Sequence, residues 1–127
     1  MDKISVLMGI YNPKDISKLN KSIESILNQT FQNIELIICD DCSNEETKNI
    51  LENWQKKDDR IVLIRNKENK GLAASLNNCL KIATGNYIGR QDDDDISNLN
   101  RFEVELNFLK ENIEYDFVGC NLELIDK

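Results

Sequence analysis

Apolar positions along the chain alternate between two periods. Short, nearly continuous apolar runs are separated by stretches in which apolar residues return every three or four positions. The continuous runs predict strands at Ile4–Met8, ending at Gly9, at Ile34–Cys39, at Arg60–Arg65 and at Tyr87–Gln91, with a fifth at Tyr115–Leu122 extending as far as Ile125. The helical spacing predicts one helix through Ile16, Leu19, Ile23, Ile26 and Leu27, and a second presenting Ile50, Leu51 and Trp54. A third turns Leu72, Leu76, Leu80 and Ala83 inward, and a fourth runs through Phe102, Leu106 and Leu109 from a start near Ser97 or Asn98. Ser43 and Glu46 have the spacing of a capping box at the head of the second helix. Gly85 fits as the residue just past the end of the third.

Strand–helix alternation with short connections implies an α/β fold, a mostly parallel, doubly wound sheet flanked by helices. Runs as apolar as Ile4–Met8 suit strands covered on both faces. In such sheets ligands gather at the carboxyl ends of the strands, where strand order reverses. Gly9-Ile10-Tyr11-Asn12, Asp40-Asp41, the polar loop Asn66 to Gly71 and Asp92 to Asp95 all follow predicted strands, so all four fall on one edge.

The 127 residues amount to one domain, and no apolar run approaches the length that crosses a bilayer. Met1-Asp2-Lys3-Ile4 lacks the pattern of a signal peptide, so the expected location is the cytoplasm. A net charge of −7 argues against nonspecific binding to nucleic acid or anionic lipid. It also means that an anionic ligand needs a metal or a few placed cations. With no histidine in the chain, proton transfer falls to Asp or Glu. Cys39 and Cys42 have C-x-x-C spacing, but Asp40 and Asp41 between them disfavour a thiolate, and Cys79 and Cys120 stand apart. All four read as reduced thiols, two of them in the core.

Asp92-Asp93-Asp94-Asp95 cannot be buried together and repel one another unless a cation is present. In an extended segment Asp92 and Asp94 point to the same side, which suits a hard cation such as Mg²⁺ or Mn²⁺. The bland alternative is a solvated face, or a negative lead-in to the following helix. Asp40-Asp41 either begins a turn or offers carboxylates to a base or sugar. Tyr11 is either core or a stacking platform, and Lys70 and Arg90 are surface cations unless the loops around them form a site.

These blocks together resemble family 2 glycosyltransferases, inverting enzymes with the GT-A fold. The resemblance is carried by Ile4 to Asn12, by Ser25-Ile26-Leu27-Asn28-Gln29-Thr30-Phe31 and by Glu35 to Ser43. It continues through Asn69-Lys70-Gly71-Leu72, Asn77 and Ala83 to Ile88, and ends in Arg90-Gln91-Asp92-Asp93-Asp94-Asp95-Ile96-Ser97. It implies a nucleotide-sugar donor, usually a UDP-sugar, held with Mn²⁺ or Mg²⁺. By that similarity Tyr11 lies at the nucleobase, Asp41 accepts a hydrogen bond from it, and Lys70 lies near the base or phosphates. Asp92-Asp93-Asp94 corresponds to the DxD motif, with Asp94 as direct metal ligand and Asp92 or Asp93 on the ribose or a metal-bound water. The products of such enzymes are surface glycans, so the acceptor is a glycan or a lipid-linked sugar, with peripheral membrane association of the parent enzyme.

Family members run to about twice this length, and their second half supplies the acceptor contacts and the carboxylate that deprotonates the acceptor. Residues 1–127 therefore read as the donor-binding portion, incomplete for turnover by itself, and no residue present is assigned as the catalytic base. Asp95 lies in the right neighbourhood but belongs to the donor-side motif. Competing readings are a noncatalytic nucleotide-sugar-binding or assembly module, with a second copy covering an exposed edge, and a phosphoryl-transfer domain on a similar sheet. The latter would carry acidic residues after the first strand, where this chain has Gly9-Ile10-Tyr11-Asn12. No G-x-G-x-x-G follows that strand, which disfavours a dinucleotide-binding oxidoreductase.

Overall fold

The computed structural model describes residues 1–124. Along the chain it places β1 (Ile4–Ile10), α1 (Ile16–Leu27), β2 (Ile34–Asp40), α2 (Glu45–Lys57), β3 (Ile61–Arg65), α3 (Leu72–Ile82), β4 (Tyr87–Arg90) and α4 (Arg101–Glu111). The four strands form one parallel sheet in the order β3-β2-β1-β4. The chain moves outward from β1 to β3 and then returns across β1 to lay down β4. The sheet thus reverses direction between β1 and β4, and a crevice opens at their carboxyl ends.

Alternate residues of the strands feed two cores. On one face Ile4, Val6, Met8 and Ile10 of β1 and Ile34, Leu36 and Ile38 of β2 meet Leu19, Ile23 and Ile26 of α1, Leu51 of α2, and Phe102 and Leu106 of α4. Gly89 in β4 makes room there for Phe102, whose ring would lie 3.0 Å from an added Cβ. On the other face Leu7, Ile37 and Cys39 pack under α3 against Cys79, with Leu76 and Ala83 at the margin. Cover on both faces explains why β1 and β2 read as continuous apolar runs.

Several expectations are corrected. Leu72 and Leu80 of α3 are half exposed, and the buried positions are Ser75 and Cys79. These small side chains let the helix sit close to β1, where Gly9 lacks the Cβ that would meet Leu72 Cδ1 at 2.8 Å and Ser75 Cβ at 3.5 Å. Hydrophobic spacing selects the bulky stripe, whereas close packing selects the small one. The cap of α2 is Asn44, whose side chain accepts from Thr47 N, while Ser43 Oγ accepts from Asn12 N. Gly85 does not take a left-handed turn. It is needed because an added Cβ would lie 2.7 Å from Lys3 O and Ser5 N of the sheet.

Helix α4 begins at Arg101 rather than near Ser97, because Ser97 is tied to Ser25 of α1, and Asn98 to Gln29 just past that helix, by side-chain hydrogen bonds that compete with a helical turn. The expected fifth strand does not form among residues 115–124, and Ile125 lies outside the described residues. Phe117, Leu122 and Leu124 are all more than four-fifths exposed. A β-rich segment becomes a strand only when a neighbour completes its ladder. All four cysteines are free, and two of them, Cys39 and Cys79, are buried.

Candidate functional site

The crevice between β1 and β4 is bordered by the loops that follow these strands. After β1, Tyr11 is half exposed and Asn12 takes a left-handed conformation (φ 41°) that asparagine tolerates. Asn12 N donates to Ser43 Oγ (3.0 Å), and Asn44 N donates back to Asn12 Oδ1 (2.8 Å), so the loops after β1 and β2 are locked together. Asp15 then caps α1 by accepting from Lys18 N. Across the crevice stand Asp93 and Asp94. Together with Tyr11, Asn12, Pro13, Lys14, Asp15 and Lys18 they line a cleft of about 340 Å³.

The acidic run is a turn, not the extended segment expected, with Asp95 N donating to Asp92 O at 3.3 Å. The turn brings together one carboxylate oxygen each from Asp92, Asp94 and Asp95, all within 4.8 Å of one another and all exposed. Asp95 thus joins the two residues expected from spacing, because a turn, unlike a strand, can aim three near neighbours at one point. Arg90 Nη2 lies 3.5 Å from Asp92 Oδ1. Burial, with the carboxylates of Asp94 and Asp92 adding to it, pushes the Asp93 carboxyl up to about 6. Burial and the same two neighbours raise Asp95, against an opposing pull from Arg101. Three exposed oxygens of hard, anionic character fit a divalent metal of the Mg²⁺ or Mn²⁺ kind.

Asp41 and Lys70 meet just past the carboxyl end of β2, where the loop after β3 enters α3. The Asp41 carboxylate is buried (3% exposed) and organises the loop after β3. It accepts from Asn66 Nδ2 (2.8 Å), Lys70 N (2.7 Å) and Gly71 N (2.8 Å). Burial raises its pKa, but these three hydrogen bonds outweigh that and hold it below the usual carboxylate range. Gly71 reaches Asp41 from φ +92°, a conformation that favours glycine. Lys70 reaches the site through its backbone, while its ammonium group pairs with Glu68 at 3.0 Å. Asp40 is held separately, by Arg65 and by Ser43 N (2.9 Å).

Sequence reasoning missed the polar layer beneath the acidic turn. Ser22, Ser25, Gln29, Gln91 and Ser97 are all buried. Gln29 donates to Ser25 O and Asn98 O and accepts from Phe102 N, clamping the acidic segment's exit to α1. The available signal was the pair of serines, Ser22 and Ser25, on the inward stripe of an otherwise apolar helix face.

A parallel α/β sheet with an acidic turn at its switch point is the framework of a nucleotide-sugar transferase of GT-A type. The comparisons agree. Residues 5–126 match the family described as Glycosyl transferase family 2, and the chain belongs to that family. It is 49% identical over 98% of its length to the putative glycosyltransferase EpsE of Bacillus subtilis, covering 45% of that protein. It is 39% identical over 87% of its length to WfaP of Escherichia coli, a UDP-Glc:alpha-D-GlcNAc-diphosphoundecaprenol beta-1,3-glucosyltransferase, covering 42% of it. S. aureus TarS 1-349 in complex with UDP-GlcNAc superposes with a TM-score of 0.78 at 26% identity, over 87% of this chain and 32% of that one. The chain therefore spans less than half the length of these relatives. The fold is shared as well with the mannosyltransferase PcManGT from Pyrobaculum calidifontis in complex with GDP-Man and Mn²⁺ (TM-score 0.75, 20% identity, over 84% of this chain and 32% of that one). Among the described residues no helix is long and apolar enough to cross a membrane.

Proposed function

We propose that residues 1–127 are the donor-binding portion of an inverting glycosyltransferase. It holds a nucleotide-diphospho-sugar, a UDP-sugar, with Mn²⁺ or Mg²⁺ for transfer to a glycan or lipid-linked acceptor in cytoplasmic steps of surface polysaccharide synthesis. The observation that carries this reading is the convergence of Asp92, Asp94 and Asp95 beside the cleft that Tyr11 enters. Similarity to a protein solved with UDP-GlcNAc supports the donor class, and similarity to WfaP supports a lipid-linked acceptor.

In this reading Asp94 and Asp92 hold the cation, with Asp95 as a third oxygen donor. When bound, the cation neutralises charge on the departing nucleoside diphosphate. Tyr11, half exposed at the cleft, offers its ring to the base. Asp41 serves the base side: its Oδ2 accepts one hydrogen bond, from Gly71 N, and a carboxylate oxygen can accept two. Asp93 faces the cleft and serves the ribose, and Lys70, carried on the loop that Asp41 organises, lies toward the base or phosphates. The catalytic base is assigned to no residue of this chain.

Calorimetric titration of UDP, first with Mn²⁺ and then with excess chelator, tests the reading. Metal-dependent binding that prefers UDP over ADP is expected. Equal heats for the two nucleotides, or binding untouched by chelator, would refute it.

A further inference from the structure

The turn that carries the acidic cluster is poorly closed by itself. Its internal hydrogen bond, Asp95 N to Asp92 O, is long at 3.3 Å, and its four carboxylates repel one another. What holds it lies underneath. Ser22 Oγ, on α1, donates to Asp92 O at 2.9 Å. Having spent its one proton there, Ser22 Oγ accepts from Gln91 Nε2 at 2.8 Å. The same Gln91 Nε2 lies 3.0 Å from Asp95 O. Both ends of the turn are thus fastened through two side chains that are 0% and 5% exposed. The Gln91 amide is oriented from its other end, where Oε1 accepts from Ser97 Oγ and, at 3.4 Å, from Arg101 Nη1.

Resting on the reading that the acidic turn holds a divalent cation, we propose that Ser22 and Gln91 are positioning residues that set the spacing of the Asp92, Asp94 and Asp95 carboxylates. Neither touches the cation or the donor. They act through the carbonyls of Asp92 and Asp95, as outer groups orient the ligands of metal sites generally. An apolar residue in either place would leave Asp92 O or Asp95 O without its anchor, and the carboxylates would separate under mutual repulsion.

The test uses the 127-residue chain with Mn²⁺ as probe, followed by electron paramagnetic resonance, together with backbone amide exchange over Asp93–Ser97. Ser22→Ala and Gln91→Met should each weaken Mn²⁺ about tenfold or more and speed exchange in that segment. Leu51→Ala is the control. It opens the core at a fully buried site on α2 and should lower the melting temperature while leaving Mn²⁺ affinity within about twofold of wild type. Should Gln91→Met fail to fold, Ser22→Ala decides. Unchanged affinity and exchange in Ser22→Ala would overturn the proposal, as would an equal loss of affinity in Leu51→Ala. If the wild-type chain binds no Mn²⁺, the cation reading falls, and exchange alone then judges the positioning: faster in the variants supports it, unaltered overturns it.

Discussion

Replacing Asp41 with alanine should destabilise this protein. The carboxylate accepts three hydrogen bonds of 2.7–2.8 Å, from Asn66 Nδ2, Lys70 N and Gly71 N. Hydrogen bonds to a charged group contribute about 1.5–3 kcal/mol each, but Lys70 and Gly71 lie near solvent and water recovers part of their loss. Asn66 Nδ2 also keeps a second partner, Ser75 Oγ at 3.1 Å. The net loss should be about 3–4 kcal/mol, or roughly 10 °C in melting temperature for a domain of this size. The pH dependence follows from the lowered pKa of Asp41. A carboxyl whose folded pKa lies below its unfolded one contributes fully above the unfolded value, and that contribution is lost as pH falls through the folded one. The deficit of Asp41→Ala at pH 7 should therefore narrow below about pH 3.9, the ordinary Asp value. Urea unfolding across pH 3–7 measures it. A deficit under about 1 kcal/mol at pH 7, or one that stays constant with acid, would refute the assignment of Asp41 as the organiser of the loop after β3.

Asp94→Asn should abolish Mn²⁺-dependent UDP binding in calorimetry and leave the metal-free melting temperature unchanged or higher, since it removes one of several repelling, exposed charges; a sharply lower melting temperature with binding intact would make the turn structural. The metal-free protein should gain stability as pH falls through about 6 toward 4, because the Asp93 carboxyl, raised to about 6, penalises the folded state in full above that pKa and not at all below the ordinary Asp value; Asp93→Asn should flatten this part of the thermal profile, and an unchanged slope would count against it. Gly9→Ala should cost under about 1 kcal/mol, because the new Cβ crowds the tip of a half-exposed leucine, which can turn away, and meets Ser75 Cβ at an ordinary contact distance of 3.5 Å. Gly85→Ala meets backbone atoms at 2.7 Å and should cost about 3 kcal/mol or more by urea unfolding; similar losses for the two would show that close backbone approach is not what Gly85 serves.

The placement of the site was legible where it depended on chain order alone. Tyr11, Asp41, Lys70 and the acidic run each follow a strand, and a parallel sheet puts every strand's carboxyl end on one edge. Their mutual geometry was not legible. Asp95 joins Asp92 and Asp94 only because the segment turns, and the turn is bonded at one end to Ser22 of α1 and at the other to Gln91. The contacts that Ser22 makes with Asp92 and Gln91 span about 70 residues of sequence, beyond the reach of any local spacing argument.

By itself, then, the sequence determined the period of each element, the parallel α/β class, the family and the edge that carries the candidate residues. These follow from side-chain alternation and from motifs read within a few residues. Tertiary structure decided which stripe of α3 is buried, which residue caps α2, and whether residues 115–124 form a strand. It also decided how far apart the acidic oxygens stand. Each of these depends on a partner distant in the chain: Gly9 beneath α3, Asn12 beside Ser43, a neighbouring strand for Phe117, and Ser22 under Asp92. Close packing and buried hydrogen bonds, once such partners meet, outweigh the preferences of 1–2 kcal/mol or so that local sequence expresses.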